Sequence, residues 1–205
     1  MNILCMFSGG LDSTGALYSL LTQSEYKDYN IHVHSMDLSN IENRSGAEFQ
    51  ATMNIKKWFI DKGYKFKFTR SVHEYKFMSN CFIWDSDICA FMAGQITRCS
   101  PRSYNYIVMG RTKTDDDMNH SNMTGRIKRA REIFHASYGE SSKQKPEYLY
   151  PVIDMTKQDI WDMLPEELRN YTWSCRTPKQ NNKFDWVTCG SCITCNDIKK
   201  YIRSD

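Results

Sequence analysis

The segment Ser8-Gly9-Gly10-Leu11-Asp12-Ser13-Thr14 follows the apolar run Asn2-Ile3-Leu4-Cys5-Met6-Phe7 without a gap. A short apolar run that ends at glycines reads as a buried strand. Paired glycines allow a tight turn with positive φ and let other groups approach the backbone closely. Asp12, Ser13 and Thr14 suit the start of a helix, where N–H groups lack partners. Leu17, Leu20 and Leu21 then continue at helical spacing. Strand, turn and helix start together predict a cradle for an anion, above all a phosphate, between Phe7 and Thr14. The spacing excludes two common cradles, because the chain has neither the lysine of G-x-x-x-x-G-K-S/T nor a G-x-G-x-x-G here.

Further along, strands and helices alternate. Asn30–Met36 reads as a second strand, Gly46–Lys62 as a helix, Tyr64–Thr69 as a third strand and Trp84–Thr97 as a helix. Tyr104–Met109 reads as a fourth strand ending at Gly110, and Arg126–Ser137 as a helix. Leu149–Ile153 suits a short strand, and the stretch from Thr156 to Leu164 a helix. This order implies βαβ crossovers and a mostly parallel sheet with helices on both faces. Ligands of such sheets bind beyond the carboxyl ends of the strands. That rule places the glycine loop, Asp37 after strand two, and Gly110 with Arg111 after strand four at one rim.

The chain has 205 residues, 40% of them hydrophobic, and a formal net charge of +3. This suffices for one large domain with a small appendage. The near-neutral charge selects no particular partner and gives no support for nucleic acid as a direct substrate. No apolar run approaches the roughly 18 residues of a membrane span, and no signal-peptide pattern is present. The expectation is a cytoplasmic protein.

Four of the eight cysteines cluster near the end, at Cys175, Cys189, Cys192 and Cys195. In C-x-x-C-x-x-C, two-residue gaps let thiolates converge on one ion, and Gly190 permits the turn. Four thiolates suit a closed, structural Zn²⁺ site. An iron–sulfur cluster also takes four thiolates, and a redox C-x-x-C pair would leave two cysteines without a role. Cys5 reads as a small core residue. Cys81, Cys89 and Cys99 read as structural, with a reactive role as the alternative.

Three elements together resemble one group of proteins. Ser8-Gly9-Gly10-x-Asp12-Ser13 resembles the pyrophosphate loop of the PP-loop ATP pyrophosphatases. Pro151-Val-Ile-Asp-Met-Thr-Lys157-Gln-Asp-Ile160 resembles a later element of those enzymes. Thr172-Trp173-Ser174-Cys175 and Cys189-Gly190-x-Cys192-x-x-Cys195 are similar to the zinc-binding segments of the 7-cyano-7-deazaguanine synthase family. The resemblance implies an ATP-binding α/β domain over residues 1–170 and a zinc-binding segment over 171–205. It implies ATP and Mg²⁺ as cofactors, and a homodimer. It also implies conversion of 7-carboxy-7-deazaguanine and ammonia to 7-cyano-7-deazaguanine through an adenylated carboxylate and then an adenylated amide.

On this reading Ser8, Gly9, Gly10, Ser13 and Thr14 hold pyrophosphate, and Asp12 holds Mg²⁺. Lys157 and Arg111 neutralise phosphate or carboxylate charge; each also reads as a solvated side chain. Asp115-Asp116-Asp117 reads as a solvated loop or a second Mg²⁺ site. Arg126, Lys128, Arg129 and Arg131 read as a solvated helix face or a phosphate clamp. His120 and His135 stay unassigned. The chain departs from the family in two places. Asp37-Leu38-Ser39-Asn40 stands where a Y-G-Q-type motif is usual, and no Y-P-D-C-R-type motif lies near Asp115–Met123. Two other functions compete: a PP-loop enzyme that inserts sulfur into tRNA, and a non-catalytic nucleotide-sensing module.

Overall fold

Along the first strand, β1 (Asn2–Phe7), side chains alternate between two cores. Ile3, Cys5 and Phe7 join one, and Leu4 and Met6 join the other. A strand buried on both faces must sit in the middle of a sheet covered by helices on each side. The computed structural model describes residues 1–75, 83–113, 121–140 and 144–202, without the side chains of 121–124, and it has this architecture. Five parallel strands run in the order β3-β2-β1-β4-β5, where β2 is Asn30–Ser39, β3 Lys67–Glu74, β4 Tyr106–Val108 and β5 Glu147–Leu149.

The helices divide between the two faces. On one side are α1 (Leu11–Thr22) and α2 (Ser45–Asp61), where Leu17, Leu20, Ile55 and Phe59 are buried with Ile3 and Val33. Two short helices, α5 (Lys157–Met163) and α6 (Glu166–Tyr171), join them through Ile160, Leu164 and Leu168. On the other side α3 (Asp85–Cys99) packs against α4 (Ser121–Tyr138), with Ala90, Ala93, Phe134 and Tyr138 over Leu4 and Ile107. Each fully buried large side chain contributes about 1.5–3 kcal/mol relative to exposure. The tail forms a two-stranded ribbon, β6 (Lys179–Gln180) with β7 (Trp186–Val187), and then α7 (Ile193–Tyr201).

After β3 at one edge the chain returns through α3 to β4, on the far side of β1. The strand order therefore reverses between β1 and β4, which opens a crevice at their carboxyl ends. Among the described residues no helix is long and apolar enough to cross a membrane.

The third strand differs from expectation. Tyr64 and Phe66 alternate with charged residues, but they pack edge-on against Phe59 in the linker. Pairing with β2 starts only at Lys67 and runs on to Glu74. Between these strands lies a chain of polar contacts. His32 meets the Tyr104 hydroxyl and Thr69 Oγ1, His34 meets Thr69 Oγ1 at 2.8 Å and Ser71 Oγ at 3.0 Å, and Ser71 meets His73 at 2.9 Å. Burial lowers both His32 and His34 to about 4.

Candidate nucleotide-activation site and metal centre

The turn after β1 holds Gly9 at φ +76°, and a Cβ there would stand 2.9 Å from Thr52 Oγ1. Only glycine meets both demands. Gly10 is the N-cap of α1 and no side chain caps the helix. Helix geometry leaves the first N–H groups of α1 without an acceptor four residues back, and the helix dipole favours negative charge there. The loop is braced from within: the Ser8 and Ser13 hydroxyls meet at 3.0 Å, and Ser13 Oγ donates to the Gly10 carbonyl at 3.1 Å. The contacts of the Ser8 and Gly10 amides with these hydroxyls, at 3.4 Å, are long.

Gly110, just past β4, lies against this loop. A Cβ there would fall 2.5 Å from the Ser13 nitrogen and 2.7 Å from the Asp12 carbonyl carbon. From the opposite side, Lys157 at the start of α5 donates to Asp12 Oδ2 at 2.6 Å. Thr156 caps α5 in a reciprocal pair with Asp159, which fixes where Lys157 begins. Two residues assigned separately from sequence thus form one ion pair, 145 positions apart.

A cavity of about 410 Å³ opens beside the loop. Phe7, Ser8, Gly10, Leu11, Asp12, Ser13 and Gly110 line it, while Gly9 and Thr14 stand behind it, buried. Asp37 is turned to the other face of the sheet, where Arg70 pairs with it and lies over the Phe49 ring. Arg111 is on a neighbouring slot, over the Tyr150 ring. Asp115–Asp117, His120 and Cys81 lie outside the described residues, and so does most of the Asp115–Met123 stretch.

The far wall of the cavity comes from residues that no sequence motif links. Met6, Met36, Leu38 and Met109 form its apolar part. Arg44 pairs with Glu42, Glu48 and Asp85, and Arg176 donates to both oxygens of Glu42, at 2.7 and 3.0 Å. Burial pushes the Glu48 carboxyl up to about 7, against the pull of Arg44. Cys89 lines the same wall, and burial raises its thiol to about 12, so it stays protonated. The partners of this network are up to 134 residues apart, which leaves no local spacing from which to find it.

The tail closes the cavity. Trp173 donates its backbone N–H to the Gly9 carbonyl at 2.9 Å, and Ser174, Arg176 and Thr194 are lining residues. These residues are interleaved with the cysteine cluster. The sulfurs of Cys175, Cys189, Cys192 and Cys195 all lie within 4.8 Å of one another, Cys189 and Cys195 at 3.9 Å and Cys192 and Cys175 at 4.0 Å. Backbone N–H groups of Cys189, Cys192 and Arg176 point at cluster sulfurs at 3.2 to 3.4 Å. The hydrogen bond from Thr177, and then backbone N–H groups, lower Cys189 to about 5. Preformed donors favour the thiolates of Cys189 and Cys192, the form that ligates a metal, while burial raises Cys175 and pushes Cys195 up to about 12.

The fold and the site together define a class: a parallel α/β domain with a glycine cradle at the switch point and a four-cysteine cluster that could hold a metal ion. No protein-family model matches the chain, and no curated protein matches it. Among solved structures it is similar to the U34-tRNA thiolase NcsA from Methanococcus maripaludis with its 4Fe-4S cluster. The TM-score is 0.54 and the identity 14%, over 98% of this chain and 66% of that one. This chain therefore spans just under two thirds of the length of that structure. At such identity the likeness establishes the fold, which is the one expected from the sequence.

Proposed function

We propose that this chain is an ATP-dependent adenylating enzyme, which cleaves ATP between the α and β phosphates and passes AMP to an acceptor oxygen. The uncapped glycine loop against Gly110, with Lys157 and Asp12 paired beside it, is the observation that carries this reading. The loop amides would receive the β and γ phosphates, and fixed N–H dipoles stabilise charge without reorganising during the reaction. An ammonium has three donors, so Lys157 can serve Asp12 and a phosphate oxygen together. Asp12 is the residue that would hold Mg²⁺, whose charge offsets that of the phosphates.

The acceptor we assign is 7-carboxy-7-deazaguanine with ammonia. A carboxylate is a poor electrophile; AMP on its oxygen makes a leaving group, ammonia then forms an amide, and a second adenylation lets the amide lose AMP as the nitrile forms. The small apolar wall of Met6, Met36, Leu38 and Met109 supports a planar base as the occupant, and the cysteine motif carries the resemblance. The cluster geometry supports one Zn²⁺: bonds of about 2.3 Å make a tetrahedron with edges of about 3.8 Å, near the observed sulfur separations. A 4Fe-4S cluster places each thiolate on a different iron and needs a wider shell.

A second acceptor, a tRNA base that receives sulfur, is favoured by the fold neighbour's identity as a tRNA thiolase. Cys89, the described cysteine on the cavity wall, does not help this chemistry while its thiol is held at about 12. The experiment is incubation with ATP, 7-carboxy-7-deazaguanine and ammonium, following pyrophosphate release and product mass. The amide or nitrile mass with pyrophosphate supports the reading. Pyrophosphate released only with tRNA moves the acceptor to RNA, and ATP bound without turnover in either mixture leaves a sensing module.

A further inference from the structure

Beyond the ATP loop, the rim carries a second slot that this chemistry does not use. It is about 160 Å³ and shares Ser86, Met109 and Gly110 with the main cavity. Its walls combine two tyrosines and three arginines with the apolar Met109, Ile127 and Ala130. The Tyr148 and Tyr150 rings stack at 6.0 Å and 14°. Arg131 lies over Tyr148 and donates to the Tyr150 hydroxyl, and Arg111 lies over Tyr150. Arg126 lies 3.7 Å over the Trp84 ring and completes the wall. The slot runs outward into a groove of about 360 Å³ lined by Arg111, Lys128, Arg131 and His135, with Glu132 its one carboxylate among the described residues.

We propose that this slot and groove bind a single-stranded RNA segment, with one base laid among Tyr148 and Tyr150 and its flanking phosphates on Arg111, Arg126, Lys128 and Arg131. Arginine recognises phosphate through a planar fork of donors, and aromatic faces accept any base by stacking. An acidic peptide of glutamates and aspartates would meet the same cations but brings no aromatic ring to the tyrosines. The shared Gly110 puts a strand in the slot beside the phosphate loop. The site stands whether or not adenylation occurs, because strand binding is measured without ATP.

The test is fluorescence anisotropy of the full chain with a labelled 12-nucleotide RNA of mixed sequence, at several salt concentrations. Single strands show a slope of about −0.7 in log K against log salt for each phosphate neutralised, so four contacts predict a slope near −3. Lys128 and Arg131 are exposed, and K128Q/R131Q should retain its melting temperature while the slope falls by about 1.4. Y150A should weaken binding by about five- to a hundredfold. Lys157→Met, at the phosphate loop, should leave RNA affinity unchanged. The proposal is overturned by RNA affinity indifferent to the groove variants, by equal affinity for the RNA duplex, or by displacement of the strand by poly-glutamate or by inorganic phosphate at equal charge.

Discussion

Gly110→Ala tests how tightly the two halves of the rim fit. The added methyl would fall 2.5 Å from the Ser13 nitrogen, 2.7 Å from the Asp12 carbonyl carbon and 2.8 Å from Ser13 Cα. All three are backbone atoms, so no side chain can rotate away, and the loop must retreat by roughly an ångström in a close-packed interior. Overpacking of this kind costs about 1–3 kcal/mol, which lowers the melting temperature by about 2–12 °C in a chain this size. A displacement of about 1 Å at a reacting group costs on the order of a hundredfold in rate. Calorimetric titration with ATP, thermal unfolding and pyrophosphate release read the three consequences. Gly125→Ala is the control: it has nothing within 4 Å, and alanine in a helix is favoured by up to about 1 kcal/mol. If G110A melts, binds ATP and releases pyrophosphate like the parent, the tight seat of the loop against β4 is wrong.

Three further outcomes follow from the same geometry. Lys157→Met removes a 2.6 Å bond to Asp12; stability should fall by about 1 kcal/mol and ATP affinity by tenfold or more, and unchanged calorimetry contradicts the pairing. The proposed metal site predicts that Cys175→Ser abolishes metal binding at the cluster, destabilises the fold by several kcal/mol and weakens ATP binding, because the Trp173 bond to Gly9 lies in this segment; elemental analysis still showing one metal per chain would refute the four-cysteine assignment. His32 and His34 are buried near neutral, with burial and then Lys67 and His34 lowering the first, and burial and then His73 lowering the second, both to about 4. The unfolded chain protonates them near 6.5, so their stabilisation is complete above that pH and is lost as pH falls from 6.5 to 4, by up to about 3 kcal/mol each. Urea midpoints at pH 7.5 and 4.5 should diverge in the parent and less so in H32Q/H34Q; identical pH slopes in both proteins would exclude this origin.

Some of this architecture is written locally and some is not. The strand–glycine–helix start at Phe7–Thr14 is local chemistry, since apolar run, positive φ and helix start act within a few residues. The α5 cap is similarly local, set by Thr156 and Asp159. The start of β3 is not, because Tyr64, Phe66 and Phe68 alternate like a strand but packing under Phe59 recruits the first two. The six-residue α6 and the two-residue strands of the tail are too short to show a period. The Arg44–Glu48–Asp85–Arg176 wall is a purely tertiary assembly. Residue chemistry marks Lys157 and Asp12 separately, but only the packing of α5 on α1 brings them into contact.

The most direct measurement is a crystal structure of the chain with Mg²⁺ and α,β-methylene ATP, whose uncleavable bridge lies at the bond to be broken. The account predicts the β and γ phosphates on the amides of residues 8–14, Lys157 within hydrogen-bond distance of a phosphate oxygen, and the α phosphate facing the Met36–Met109 cavity. An analogue bound elsewhere, or one whose γ phosphate alone points into the cavity, contradicts it.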